Sequence, residues 1–298
     1  AELIALAREL RPQLHRYCAR LMGSVIEGED VVQDTLAKAL VALDGPSDVP
    51  SLRAWLFRIA HNRALDLLRG KAIRASEPIE AAQQVVDEAN LNPAEILMHE
   101  EAVKTAVSRF VQLPILQRSV LILKDILDES LADIALLLDL SVDSTKAHLA
   151  RGRARLREIN AKALQLPEVK PPSANVARYV ALFNQRDWEG LRALLADDVK
   201  LSQSMHPVRV GSADVGLFFS LYAKTDGVWL AAAWLKGREV IAVFENRSDT
   251  EPSYFMWLKW RNNEITFIRD YKYVRYIVSE AELLFPPGCI CATRDDRS

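Results

Sequence analysis

The chain has 298 residues, half of them apolar, with a formal net charge of −2. That is enough for two or three domains with their own cores, and the near-neutral balance excludes a general nucleic-acid coat protein, so that local clusters of basic residues carry the information. Cys18, Cys289 and Cys291 form no disulfide framework, and no second pair completes a zinc site with the last two. The longest apolar stretch, 228–235, is far too short to span a membrane. Residues 1–21 are amphipathic and charged throughout, unlike a signal peptide, and a reducing cytoplasm is the expected location.

Residues 1–71 have a helical pattern broken at Gly23, Gly28 and the Asp44-Gly45-Pro46 loop. Within them, 27–43 (EGEDVVQDTLAKALVAL) puts Val32, Leu36, Ala39 and Leu43 on an inward stripe. Asp30, Gln33 and Asp34 are left on an outward polar patch. Residues 51–74 (SLRAWLFRIAHNRALDLLRGKAIR) predict a second helix, capped by Ser51, with Leu52, Leu56, Ile59 and Ala60 turned inward. Arg53, Arg58, Arg63, Arg69, Lys71 and Arg74 make it strongly basic, and it carries Trp55, Phe57, His61 and Asn62. Cations interleaved with aromatics and amides suit a melted strand, whose phosphates need charge and whose bases need stacking. An amphipathic core helix with a solvated basic face accounts for the segment equally well.

Residues 75–92 are acidic and polar and read as a linker. Helical pattern resumes over 93–162, and 128–158 predicts a helix-turn-helix. Its first helix, 131–138, turns Leu131, Ile134, Ala135 and Leu138 inward. Asp139 occupies the turn position where glycine is usual, and aspartate tolerates the left-handed conformation better than most residues. Ser141 caps the second helix, whose stripe is Val142, Thr145, Leu149, Gly152 and Leu156. The opposite face holds Ser144, Ala147, Arg151, Ala154 and Arg155, flanked by Lys146. Small polar residues lead where base edges would be met, and arginines follow where phosphates would be met. A basic helix merely exposed to solvent is the plainer alternative.

These segments, taken in order, resemble sigma factors of the extracytoplasmic-function group. The carriers are E-D-x-V-Q-[DE]-T, then A-W-L-F-R-I-A-x-N-x-A-L-D-x-L-R, then L-P-x-x-x-R at Leu113–Arg118, then the helix-turn-helix. The resemblance covers about half the chain, residues 3–158. It implies two all-α sigma domains, region 2 over 1–74 and region 4 over 95–162, joined by the acidic linker 75–94. It implies that Asp30, Gln33 and Asp34 dock on the β′ clamp helices of core RNA polymerase. The loop 44–50, with Arg53, Arg58, His61, Asn62, Asp66 and Arg69, would take the single strand of the −10 element and a base flipped from it. Leu113, Gln117 and Arg118 belong to the stretch, 113–123, that would hold the β flap. Ser144, Lys146, Ala147, His148 and Arg151 would read the −35 element, and Arg155 would meet its phosphates. Leu131, Asp139 and His148 depart from the family pattern, where an aromatic, a glycine and an arginine are common; the last leaves the promoter sequence open.

A Pro-rich hinge (163–174, containing LPEVKPPS) precedes a different texture. A helix over 176–195 leads into aromatic, β-branched segments at 228–234, 239–245, 254–260 and 264–268, which indicates an α+β domain over 175–298. The phrase VALFNQRDWEGLRALLADDVKL resembles the opening of a SnoaL-like cone, of the nuclear-transport-factor-like type, and D-Y-K-Y-V-R-Y-I from Asp270 resembles its final strand. Such cones hold an apolar pocket, for which His206, Trp229, Trp257 and Asp270 are the candidates; Trp234, Phe255 and Trp260 are either pocket lining or core. No catalytic residue, metal site or cofactor is expected. The reading is a promoter-specificity factor whose partners are core polymerase and promoter DNA, with a C-terminal domain that regulates it in cis and takes a small-molecule or protein ligand. A ligand-sensing helix-turn-helix regulator, or a cone with residual enzyme activity, are the other readings.

Overall fold

The computed structural model describes residues 2–42, 52–75, 102, 105–162 and 169–287. Leu43, the loop 44–50, Ser51, most of the acidic linker, and Cys289 and Cys291 lie outside the described residues. The chain divides into two compact units, Ala1–Leu164 and Gln165–Ser298.

The described residues of the first unit are helical. Helices α1 (Glu2–Met22), α2 (Val25–Ala42) and α3 (Leu52–Ala75) form a bundle. Glycine sets two of its close approaches. A Cβ on Gly28 would lie 2.5 Å from the backbone nitrogen of Ala19, so α2 crosses α1 at backbone contact. Gly23, at φ +68°, ends α1 in a Schellman turn: its N–H reaches Arg20 O, and the Ser24 N–H reaches Ala19 O. A 3-10 turn (Val107–Gln112) then leads into α4 (Ile115–Leu121), which continues as a π turn (Ile122–Ile126). Helices α5 (Leu131–Leu138) and α6 (Val142–Ala161) follow. Sequence reading separates 1–74 from 95–162, yet residues of both stretches share one apolar core. Leu14, Tyr17, Leu56, Phe57 and Ala60 belong to it, and so do Phe110, Leu113, Val120, Ile134, Leu149 and Leu156.

The second unit is α+β. Ser173 caps α7 (Ala174–Asn184) and Asp187 caps the short α8 (Trp188–Arg192). The single helix expected over 176–195 is broken between them, because Arg186 adopts φ 61°. A seven-stranded sheet follows in the order β2-β1-β6-β5-β4-β3-β7. Its strands are β1 (Leu195–Gln203), β2 (Arg209–Val210), β3 (Trp229–Leu235), β4 (Arg238–Phe244), β5 (Tyr254–Arg261), β6 (Glu264–Asp270) and β7 (Leu283–Leu284). Among the described residues, β1 and β6 pair parallel and the other pairings are antiparallel. Helix α9 (Ser212–Ala223) lies between β2 and β3. Tyr179 and Phe183 of α7 and Phe218, Phe219 and Tyr222 of α9 share one core with Leu230, Ile241, Val243, Met256 and Ile268 of the sheet.

The segment expected as the final strand is not one. β6 stops at Asp270, whose Oδ1 accepts the Lys272 N–H at 3.1 Å, and Arg275–Glu280 forms a 3-10 turn. The side chain of Asp270 takes the backbone donor and turns the chain out of the sheet.

The crossing at Gly28 gives a first prediction. Gly28→Ala forces a methyl into the α1 backbone and lowers the stability of the first unit by about 1–3 kcal/mol. Urea denaturation reads this as a lower midpoint with an unchanged slope.

Candidate nucleic-acid interface

The helix-turn-helix is set by two capped helices and one left-handed turn. Ser130 accepts the Asp133 N–H, and Ser141 accepts the Ser144 N–H at 3.1 Å. Asp139 adopts φ 56° and ψ 50°, the conformation its turn position requires. Thr145, Leu149, Gly152 and Leu156 are buried as their spacing predicts, and Ile159 extends the stripe. Val142 departs from it and is exposed. Ile134 and Ala135 are buried on α5, with Leu131 and Leu138 half-buried at its ends. Gly152 lets α6 approach the carbonyl of Gln117, 3.2 Å from an added Cβ.

An ion pair and an arginine cap that no local pattern announces hold this module. Arg153 donates two hydrogen bonds to Asp125, at 2.9 and 2.7 Å, in a nearly buried pair. Arg109 caps the end of α6 by donating to Ile159 O, Asn160 Oδ1 and Lys162 O. Removing either partner of the first pair would strand a buried charge.

The outer face of α6 presents Lys146, Ala154, Arg155 and Arg157 to solvent, with Ser144, Ala147, His148 and Arg151 half-buried along it. Arg151 Nη2 lies 3.5 Å from His148 Nδ1. Partial burial and that cation push the His148 imidazole below its ordinary pKa.

On α3 the expected residues divide. Arg58, Asn62, Asp66 and Arg69 are exposed, and Asp66 pairs with Arg69 at 3.5 Å. His61 is buried instead, sharing a 2.7 Å hydrogen bond with the Tyr17 hydroxyl. Burial, with Arg69 adding to it, holds its pKa down at about 4. Phe57 is likewise core. The i, i+4 step that links Phe57 to His61 puts both on the inner face, so neither is available to a strand.

The polymerase-facing candidates divide in the same way. Asp30 is exposed and Gln33 and Asp34 half-exposed, with Arg63 Nε donating to Asp34 at 2.7 Å. Leu113 and Arg118 are buried. Arg118 donates to Leu21 O at 2.5 Å and to Val111 O and Leu113 O at 2.8 Å each, and burial lowers its pKa to about 10.

The four pocket candidates of the second unit are not brought together. Asp270 pairs in register with Met256, on the helix-covered face, and is fully buried. Trp257 lies on the reverse face, its ring 5.3 Å from Phe267 and capped by Arg238. Trp229 is on that reverse face too, stacked 4.0 Å from Phe244, with its Nε1 donating to Asn246 O. His206 is exposed beyond the end of β1 and packs 4.1 Å from Tyr273. What Asp270 does have around it is a polar cluster missed in the sequence. Gln203 Nε2 donates to it at 2.6 Å, and the hydroxyls of Tyr222 and Tyr254, 2.6 Å apart, feel its charge, as does Tyr179. Burial raises Asp270 to about 6, against which the two hydrogen bonds work.

Among the described residues no cluster could hold a metal ion, and no helix is long and apolar enough to cross a membrane.

Comparison with known proteins agrees with this geometry. Residues 6–73 match the model of Sigma-70 region 2, and residues 106–156 that of Sigma-70, region 4. The ECF RNA polymerase sigma factor SigG of Mycobacterium tuberculosis is 31% identical over 206 residues, 61% of this chain and 55% of that protein. The RNA polymerase sigma factor CnrH of Cupriavidus metallidurans is 33% identical over 135 residues, 43% of this chain and 70% of that protein. The crystal structure of the extracytoplasmic-function sigma factor SigJ of M. tuberculosis is similar at 18% identity, covering 90% of this chain and 95% of that one, with a TM-score of 0.35. The chain belongs to the sigma-70 family of RNA polymerase sigma factors, in its extracytoplasmic-function group. It spans about half the length of SigG. Its second unit is an α+β domain built on one seven-stranded sheet.

The two buried titratable groups predict opposite pH responses. The depressed pKa of His61 gives a contribution that is full above 6.5 and lost as pH falls through about 4. The raised pKa of Asp270 gives one that is full below 3.8 and lost as pH rises through about 6. In thermal unfolding of the full chain the two contributions oppose each other between about pH 4 and 6, so Asp270→Asn steepens the loss of stability on the acid side, and His61→Gln leaves a net loss as pH rises through that window.

Proposed function

We propose that the chain binds core RNA polymerase, carries it to promoters and starts transcription there, with region 2 over 1–74 and region 4 over 95–162. The observation that carries this reading is one polypeptide holding two nucleic-acid faces of different character. The α6 face has small residues at its N-terminal end and arginines further on, the pattern of a duplex reader. The α3 face has Arg58, Asn62, Asp66 and Arg69 exposed on a helix locked to its core, which suits an unpaired strand. Asp30, Gln33 and Asp34 supply the contact with the β′ clamp helices, and the α4 segment the contact with the β flap. Work on the chromosome places the protein in the cytoplasm.

The second unit, following the hinge 163–174, regulates the first in cis. Reading two promoter elements requires the two DNA-binding halves to separate, so any state in which they share a core lowers promoter affinity by its population. A short tether keeps the regulating unit at high effective concentration. The buried Asp270–Tyr cluster is the place in it where a ligand carrying hydroxyl or carbonyl groups would be recognised.

Arg151→Ala or Arg155→Ala weakens DNA binding on every sequence and reduces the salt slope by about 1 for each phosphate that is no longer neutralised. Ser144 and His148 substitutions change the preferred −35 sequence in a promoter selection. A chain cut at Leu166 that no longer binds core polymerase overturns the reading; one that binds and transcribes at an altered level supports regulation in cis.

A further inference from the structure

Helix α9 of the second unit keeps two large apolar side chains in solvent. Leu217 is 58% exposed and Leu221 47%, while Val215, Phe218, Phe219 and Tyr222 of the same helix are buried. Asp214, in its first turn, and Lys224, at its C-cap, are exposed as well. Residues three or four apart are neighbours on a helix surface, so Asp214, Leu217, Leu221 and Lys224 form one stripe. Its order is anion, leucine, leucine, cation. Among the described residues, neither Asp214 nor Lys224 has an ion-pair partner.

That order is self-complementary. Leu217 and Leu221 are equally far from Phe219, at the middle of the stripe, and so are Asp214 and Lys224. Two copies of α9 laid antiparallel about a two-fold axis at that point bring Leu217 of each against the partner's Leu221, and Asp214 of each against the partner's Lys224. A contact between identical surfaces requires this kind of match. A stripe with one sign of charge at both ends would repel its own copy. The antiparallel arrangement also sets the positive N-terminal end of each helix beside the negative C-terminal end of the other. Val208 and Val210, exposed on the stretch that leads into α9, add apolar surface next to the stripe.

We propose that α9 is the contact surface between two copies of this chain, packed antiparallel with Leu217 and Leu221 at the centre and two Asp214–Lys224 ion pairs at the ends. The inference is independent of the sigma-factor reading. One helix face from each copy buries less than a standard protein–protein interface, so the pair is weak, with a Kd on the order of 10 µM. Each charge is used twice, so one substitution alters both ion pairs at once.

Sedimentation velocity of the full chain, over a series from about 1 to about 200 µM, reads the pairing. The variants are Leu221→Glu, Asp214→Lys, Lys224→Asp and the double exchange Asp214→Lys with Lys224→Asp; thermal unfolding checks that each is folded. The natural chain is expected to pass from monomer to dimer across the series, and Leu221→Glu to stay monomeric. Each single reversal raises Kd about tenfold, and the double exchange returns it to within about twofold of the natural value. The exchanged charges oppose the dipole of their own helix, so recovery comes from the partner copy and not from a more stable monomer. A natural chain that stays monomeric throughout overturns the proposal; protection of Leu217 and Leu221 from hydroxyl-radical labelling in that monomer then assigns the face to another part of the same chain. A dimer that Leu221→Glu leaves intact forms elsewhere and overturns it too. Weakening by the single reversals without recovery in the double exchange means that the helix meets a different surface, which also overturns it.

Discussion

The guanidinium of Arg118 sits where three backbone carbonyls converge, and the shape of the first unit depends on it. Leu21 O comes from the end of α1, while Val111 O and Leu113 O come from the turn before α4. Carbonyls at a helix end and in a tight turn have no regular partner. Buried without a donor, each would cost about 1–3 kcal/mol. One planar cation with several donors satisfies all three and joins the two halves of the unit. Its neighbours reinforce the join: Arg20 lies 5.6 Å above the Phe110 ring, and Val111 packs where any side chain on Gly23 would sit. The Schellman turn at Gly23 is what brings Leu21 O to the surface of α1, so backbone conformation and the buried cation require each other.

That arrangement explains how far the sequence could be read. Stripes repeating at helical spacing are local, and Thr145, Leu149 and Leu156 needed nothing beyond their own helix to be recognised as buried. Ser141 and Asp139 were legible because caps and left-handed turns are also local chemistry. Arg118 was legible only as part of L-P-x-x-x-R, a motif that carries a polymerase contact in the resemblance; that it is also the staple between halves depends on Leu21, 97 positions away. The Arg53–Glu129 and Asp125–Arg153 pairs are of the same kind, 76 and 28 positions apart. Helix α9 was missed for a different reason. Its apolar residues lie on all sides, with Phe218 and Phe219 buried while Leu217 and Leu221 are exposed, so no single stripe stands out.

In the second unit the limit is register. Side chains of a strand alternate between faces, and a shift of one residue reverses every assignment. Trp229, Trp257 and Asp270 look like one aromatic and acidic set when only composition is considered. The pairing Met256–Asp270 sends Asp270 under the helices, and the next residue, Trp257, to the reverse face. The tyrosines that do surround Asp270 come from α7, α9 and β5, three elements whose convergence no spacing in the chain expresses.

Helix α3, the strand reader of the proposed function, is also a core element. Helix α3 gives Phe57, Ala60 and Ala64 to the core and is tied to α1 through the Tyr17–His61 hydrogen bond. Its exposed residues Arg58, Asn62 and Asp66 are therefore held at fixed spacing whatever covers them. Helix α5 meets α3 in two ways: it gives Ile134 to the core that holds Leu56 and Phe57, and at the rim Glu129 and the Leu136 carbonyl accept from Arg53 and Arg58.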